Sequence, residues 1–178
     1  MLAFAEWLQS TRFSVTIQSV EWVIPLLQSV HILMIGVVFV SILMITLRVL
    51  GRMRMDETLA QVWSRFAPWM WSGLVVMAVT GVLLVIGEPV REFTALSFWL
   101  KMALIAIGVT VTVGFARSLE SATLGVRRGA EVSAPAPEFS AATKAAAVAT
   151  VVLWLAIIFL GRAIAYDVEV WGSLSLAA

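Results

Sequence analysis

Cysteine is absent from the 178-residue chain. That single absence removes disulfides, thiolate metal sites and cysteine nucleophiles together. Histidine occurs once, at position 31, so a pair of imidazoles cannot come from one copy. Charge is scarce as well: 13% of residues are Asp, Glu, Lys or Arg, about half the share usual in soluble domains. With 61% hydrophobic residues and a mean hydropathy of +1.00, a soluble fold of this length could not cover its apolar surface. Lipid is therefore the expected solvent and first partner. The net charge of +1 gives nucleic acid nothing to bind by bulk attraction. No Gly-rich phosphate loop, carboxylate pair, HExxH or Ser-His-Asp set occurs. Hydrolase and nucleotide chemistry are not expected, an enzyme is the less favoured reading, and no residue is assigned a catalytic role.

What the chain does have is long apolar runs. Trp22 to Gly51 is the first, and at ~1.5 Å per residue it crosses a bilayer as one helix. Pro25 falls in its first turn, where a missing N–H does least harm, and Gly51 suits its C-terminal cap. Further spans are expected at about 68–87, opened by Pro68 and stopped by Gly87, Glu88 and Pro89, at about 97–116, and at about 143–166. The polar segment 117–142 carries Pro135 and Pro137 and reads as a mobile loop. Residues 1–20 place Phe4, Trp7 and Leu8 on one helical face and Phe13 and Ile17 on another, which predicts a short amphipathic segment on the membrane surface. The N-terminus has no basic stretch or small-residue cleavage site, so this segment is expected to be retained. Eight Trp and nine Phe against one Tyr suit interfacial aromatics. The expected fold is thus all-α: a four-helix transmembrane bundle, one domain over 1–178, with a short N-terminal interfacial segment.

Four spans put both termini on one side. The 1–2 connection offers Arg48, Arg52, Arg54 and Arg65, and the 3–4 connection offers Arg117, Arg127, Arg128 and Lys144. The other side has Arg12 and Arg91, with Lys101 and Arg162 at most. By the positive-inside rule both termini face outward. In a bacterium that means a multi-pass inner-membrane protein with periplasmic termini.

Orientation converts sequence position into depth. His31 lies roughly 9 Å below the outer surface, Lys101 one turn inside the start of span 3, Thr80 about two turns below the end of span 2, and Arg162 about one turn below the end of span 4. Each helix therefore sets a polar side chain in the outer half of the bilayer. An ionisable side chain inside a span is a functional-site hypothesis by default. Glu21, Glu88 and Asp167 are near but expected at the surface, so two cations and an imidazole lack a buried carboxylate, and an anionic ligand would balance them. Met34, one turn after His31, and Met77 fall in the same layer, as does Met102. Simpler roles stand beside these: His31 as a plain hydrogen-bond partner of Thr80 or a carbonyl, Lys101 and Arg162 as snorkelling cations, and Met as a common core filler.

Three functions fit this layer. One is a haem b or porphyrin site, with His31 as axial iron ligand, Lys101 and Arg162 toward the propionates, and Met34, Met77 and Thr80 lining it. Its second axial ligand would come from a Met, from Lys101 or from another subunit. A non-enzymatic carrier or binding protein for a small anion, a quinone or copper is the second. The third is an accessory subunit of a larger membrane complex or a homo-oligomer.

Several segments also carry a resemblance. His31 with the run to LRVLG, then PWMWSGLVVMAVTGVLL, FWLKMAL and LWLAIIFLGRAIAY, resembles an uncharacterised family of small bacterial four-helix membrane proteins, over about Phe4 to Tyr166. That family often has Asp where Thr46 stands here. More distantly, His in span 1, Gly in span 2 and Trp-x-Lys opening span 3 are similar to the integral-membrane protoporphyrinogen oxidases, which are haem-associated, and to the copper-resistance D type membrane domain. By that resemblance His31 and Lys101 match positions implied in haem work.

Overall fold

The computed structural model describes residues 1–127 and 139–176. All regular structure among them is helical. In chain order α1 spans Leu2–Gln9, α2 Arg12–Ser19, α3 Val23–Val49, α4 Leu59–Gly87, α5 Pro89–Thr94, α6 Leu96–Arg127 and α7 Ala141–Ala163. A 3-10 turn, Ile164–Tyr166, leads to α8, Asp167–Trp171, and a final 3-10 turn at Gly172–Leu174. Four stretches are long and apolar enough to cross a membrane: Val23–Val49, Leu59–Gly87, Leu96–Gly114 and Ala141–Leu174.

Several boundaries differ from the expected ones for local reasons. The second long helix starts at Leu59, with Pro68 inside it rather than at its start. Thr58 caps it: the Thr58 hydroxyl accepts from the Gln61 N–H, and the Gln61 side chain accepts from the Thr58 N–H. This reciprocal box satisfies two end donors and outweighs the bond that Pro68 cannot make. The third long helix runs on to Arg127, so 117–127 is helix and not loop. Leu119, Ala122 and Leu124 are good helix formers, and no proline occurs before Pro135. Arg128, Pro135 and Pro137, and the mobility expected around them, lie outside the described residues. The short connection after Gly87 is itself helical, with Pro89 at the first position of α5. Gly51 follows the end of α3 with φ +69, the left-handed conformation of a Schellman end, and the Arg52 N–H closes it on the Leu47 carbonyl at 2.9 Å.

In the bundle, α3 packs along α4 on one side and α7 on the other, and α7 packs along α6. Val38, Ile42, Met70, Trp154 and Ile157 form the central core, with Leu104 and Ile105 of α6 packed against it. The antiparallel α3–α4 seam keeps one register over three layers. Ile24 meets Gly87, His31 meets Thr80 and Val38 meets Gly73, each layer seven residues from the next on both helices. Small residues on α4 let the backbones approach, since lipid offers helices no hydrophobic drive to associate. The tightest layer is Gly73, where an added Cβ would stand 2.7 Å from Val38 Cγ2.

At the end where α4 finishes, α2 lies across it. The Ser14 hydroxyl donates to the Ile86 carbonyl at 2.6 Å, Gln18 Nε2 donates to Ser14 Oγ at 2.8 Å, and Ile17 packs on Gly87. Phe4 of α1 meets Phe93 of α5 edge-on, with ring centroids 5.8 Å apart. Phe4, Trp7, Phe13 and Val15 remain exposed. At the opposite end Glu57 gathers the α3–α4 connection, pairing with Arg54 at 2.7 Å and Arg65 at 3.0 Å, while its carbonyl accepts from Arg48 Nε at 2.7 Å.

Gly73→Ala tests the seam. Val38 is buried and β-branched, so it cannot swing away, and overpacking of this kind costs about 1–3 kcal/mol. We expect the detergent-solubilised variant to melt several degrees below the parent, whereas Gly36→Ala, which points into open space, should not lower it. Equal melting of the two variants would show that this contact does not set the helix spacing.

Candidate functional site

The site is built on the second layer of the α3–α4 seam. His31 is half-buried on α3, and its Nδ1 lies 2.8 Å from Thr80 Oγ1 on α4. The Thr80 hydroxyl already donates to the Val76 carbonyl at 2.8 Å, one turn back on its own helix. A hydroxyl has one proton: with it on the Val76 carbonyl, Nδ1–H of His31 is the donor to Thr80, and with it on His31, Nδ1 accepts. In the first arrangement a neutral imidazole has its free lone pair on Nε2. Gly81, beside Thr80, leaves the Cε1 edge of the ring uncovered by any side chain of its own: a Cβ there would stand 3.5 Å from Cε1.

Lys101 of α6 joins this layer. It is half-buried, with its stem against Gly161 of α7 and its Nζ 5.7 Å from the centroid of the Phe98 ring. Its ammonium is near enough to interact electrostatically with both His31 and Glu92. His31, Thr80 and Lys101 are thus brought to one end of the bundle from three helices, with α7 supplying a bare wall at Gly161.

The other residues singled out in the sequence stand differently. Met34 is half-buried on α3, with its carbonyl facing Gly73. Met77 packs against the central core, and Met102 is exposed. Arg162 is exposed, its guanidinium 5.5 Å from the centroid of the Tyr166 ring, and it makes no hydrogen bond or ion pair among the described residues. It stacks at the rim and does not enter the layer.

Two carboxylates alter the charge balance expected from sequence. Glu92 on α5 is 9% exposed and lies within electrostatic range of Lys101, although the two form no ion pair among the described residues. Its neighbour Glu88 instead turns outward to Arg91, at 2.8 Å. Nothing in the local pattern separates these two glutamates. The distinction comes from the short helix α5, which turns Glu92 inward. Asp167, expected at the surface, is buried. It accepts from the Leu96 N–H at 3.0 Å, the Ser97 N–H at 2.8 Å and the Ser175 hydroxyl at 2.7 Å. The carboxylate thereby takes up two unpaired donors at the start of α6, where the helix dipole also favours a negative charge. Trp171 Nε1 donates to Ser97 Oγ at 2.8 Å and ties the C-terminal segment to the same point. Asp167 therefore fixes the helix that carries Lys101 and is not itself part of the polar layer.

Among the described residues no three His, Asp or Glu side chains gather to hold a metal ion by themselves. The arrangement can offer one imidazole nitrogen to an iron or a hydrogen-bond donor, and one ammonium to an anionic or carbonyl oxygen. No protein-family model, no curated protein and no solved structure matches the chain. The polar layer is therefore the observation on which a functional reading rests.

Glu92 provides a test that needs no ligand. Burial pushes its carboxyl up from the ordinary value of 4.5, against the downward pull of Lys101 and Arg91. A carboxyl raised in the folded state binds its proton more tightly there. Its contribution is complete below the unfolded value and is lost as pH rises through the folded one. We therefore expect the melting temperature of the parent relative to Glu92→Gln to fall as pH rises from below 4.5 toward neutrality. A difference that stays flat over that range would show that burial does not govern this group.

Proposed function

We propose that this chain is a bacterial inner-membrane protein with periplasmic termini that binds haem b or a related porphyrin through His31. The observation that carries the reading is the imidazole itself. Its Nδ1 lies 2.8 Å from Thr80 Oγ1, and its Nε2 makes no hydrogen bond among the described residues. A hydrogen bond at the far nitrogen orients an axial histidine and raises its basicity. In this reading His31 Nε2 would hold the iron, Thr80 would fix the ring orientation, and Lys101 in the layer or Arg162 at the rim would meet the propionates. Bound haem would supply one-electron transfer or binding of a small molecule at iron. A second iron ligand, where one is used, would come from another subunit, because Met34 stands one turn from His31 on the same helix and Met77 packs on the core. The helices α1 and α2 then lie in the outer interface, with Phe4, Trp7 and Phe13 dipped toward the acyl chains. The Lys/Arg asymmetry of the connections supports this orientation. The resemblance to the haem-associated integral-membrane oxidases supports the ligand class, as analogy.

One observation favours a second reading. Glu92 balances Lys101, so a neutral, lipid-soluble ring with carbonyl oxygens, such as a quinone, needs no further charge. It would take one hydrogen bond from the Lys101 ammonium and pair its hydroxyl, when reduced, with His31 Nε2.

Purification from membranes in mild detergent separates the two. A Soret band, present as isolated or after haem supplementation, is the expected result, and His31→Ala should abolish or shift it. Thr80→Val should keep the band and weaken haem retention by roughly 10-fold, the usual scale for losing the group that orients a metal ligand. Absence of any band after supplementation would end the haem reading. Co-purification of a quinone, lost in His31→Ala, would replace it with the second.

A further inference from the structure

A second feature lies away from the polar layer, toward the end of the bundle that holds the α3–α4 connection. An apolar groove of about 710 Å³ opens on the outer face of the bundle. Ala149, Val152 and Ala156 of α7 form its floor, Leu104 of α6 one wall, and Leu50 closes it where α3 ends. Lys144, in the first turns of α7, lines its mouth. Between Lys144 and Ala156 the helix rises about 18 Å. One leaflet of a bilayer core is about 15 Å deep. The groove is therefore one leaflet long, with an ammonium at the depth of the lipid headgroups.

Lys144 is half-buried, and no ion pair or side-chain hydrogen bond reaches it among the described residues. The contrast with its surroundings matters. At the same end Arg54 and Arg65 share Glu57, and Arg48 donates to the Glu57 carbonyl. Arg52, two residues beyond Leu50, is exposed and likewise without an ion pair among the described residues. Lys144 is thus the cation that lines the groove, with no ion-pair partner among the described residues and a floor that is small and apolar.

We propose that this groove is a binding site for one anionic phospholipid, with an acyl chain along Ala149, Val152 and Ala156 and its phosphate at Lys144. A second copy of the chain fits less well. A two-fold contact repeats the same patch on both partners, and among the residues lining this groove there is a lysine and no carboxylate to receive it. A zwitterionic lipid fills the groove equally but carries a choline or ethanolamine cation toward the lysine. Charge complementarity selects the anionic headgroup. The site is independent of His31 and of any cofactor there.

Native mass spectrometry of the full chain tests the proposal, with phosphatidylglycerol and phosphatidylcholine of identical acyl chains added in equal amounts. The parent should retain one phosphatidylglycerol with about five-fold preference, the discrimination that one lysine supplies at an anionic surface. Lys144→Gln should bring the preference close to unity, and Lys144→Arg should keep it. Ala149→Phe should displace both lipids by filling the floor. Because Ala149 is exposed, this variant should remain folded, as read by its helical circular dichroism. Equal retention of the two lipids by the parent, or a preference that survives Lys144→Gln, would overturn the proposal. So would a dimer in the parent that Ala149→Phe dissolves, which would make a second copy the occupant.

Discussion

The close approach of α3 and α4 is the constraint on which the rest of the bundle depends. Lipid solvates a leucine as well as another helix does, so these helices adhere by packing and by the few polar contacts they share. Gly73 of α4 has no side chain to hold that helix away from Val38 of α3. Seven residues along, the same spacing puts His31 Nδ1 within 2.8 Å of Thr80 Oγ1, and seven further it seats Ile24 on Gly87. A seven-residue step is the period of coiled-coil seams, and here it carries one polar layer between two apolar ones. If the helices stood a methyl group further apart, the imidazole would lose its partner in a medium with no water to replace it. The His31–Thr80 contact is in this sense a consequence of glycine at 73.

A second constraint acts at the helix ends. Four N–H groups at each start and four carbonyls at each finish need partners. Here side chains distant in sequence meet several of them: Ser14 donates to the Ile86 carbonyl at the end of α4, and Asp167 accepts from the Leu96 and Ser97 N–H groups at the start of α6. Both contacts bring terminal segments over the same end of the bundle that carries the polar layer. The short helices α1, α2, α5 and α8 thus do more than connect. They cover that end and fix the start of α6, one turn from Lys101.

The long helices and the His31–Thr80 layer were legible in the sequence because both follow from length and depth: a bilayer sets how long an apolar run must be, and ~1.5 Å per residue sets which polar groups share a level. The start of α4 stands at Leu59 and not at Pro68, where the sequence puts it: Pro68 is a strong local signal and the Thr58–Gln61 box a quieter one. The inward turn of Glu92 was not legible either. It depends on how a six-residue helix rotates between two spans, and Glu88 four residues earlier has the same chemistry and the opposite fate. Asp167 was misplaced for a related reason. A carboxylate at a span end reads as surface until its partners, seventy residues away on α6, are known. Arg162 had the right depth but not the right direction, since depth along a helix says nothing of which face a side chain occupies, and this one faces Tyr166.

Those two carboxylates change what the polar layer asks of a ligand. Without Glu92, Lys101 would be an uncompensated buried cation, and almost any anion would relieve it. With Glu92 within electrostatic range, part of that charge is offset, and a ligand gains less by bringing charge into the layer. A porphyrin ring with ferrous iron is itself neutral, and its negative charge is confined to two propionates on one edge. Such a ligand suits a neutral layer only if that edge reaches the rim, where charge is solvated and costs little. The rim does hold a cation left over: Arg162, exposed and free of ion pairs among the described residues, while Arg91 is already taken by Glu88. The arginine that leaves the layer is then better placed for a propionate than one buried within it. A quinone has no charged edge at all and places no demand on this balance.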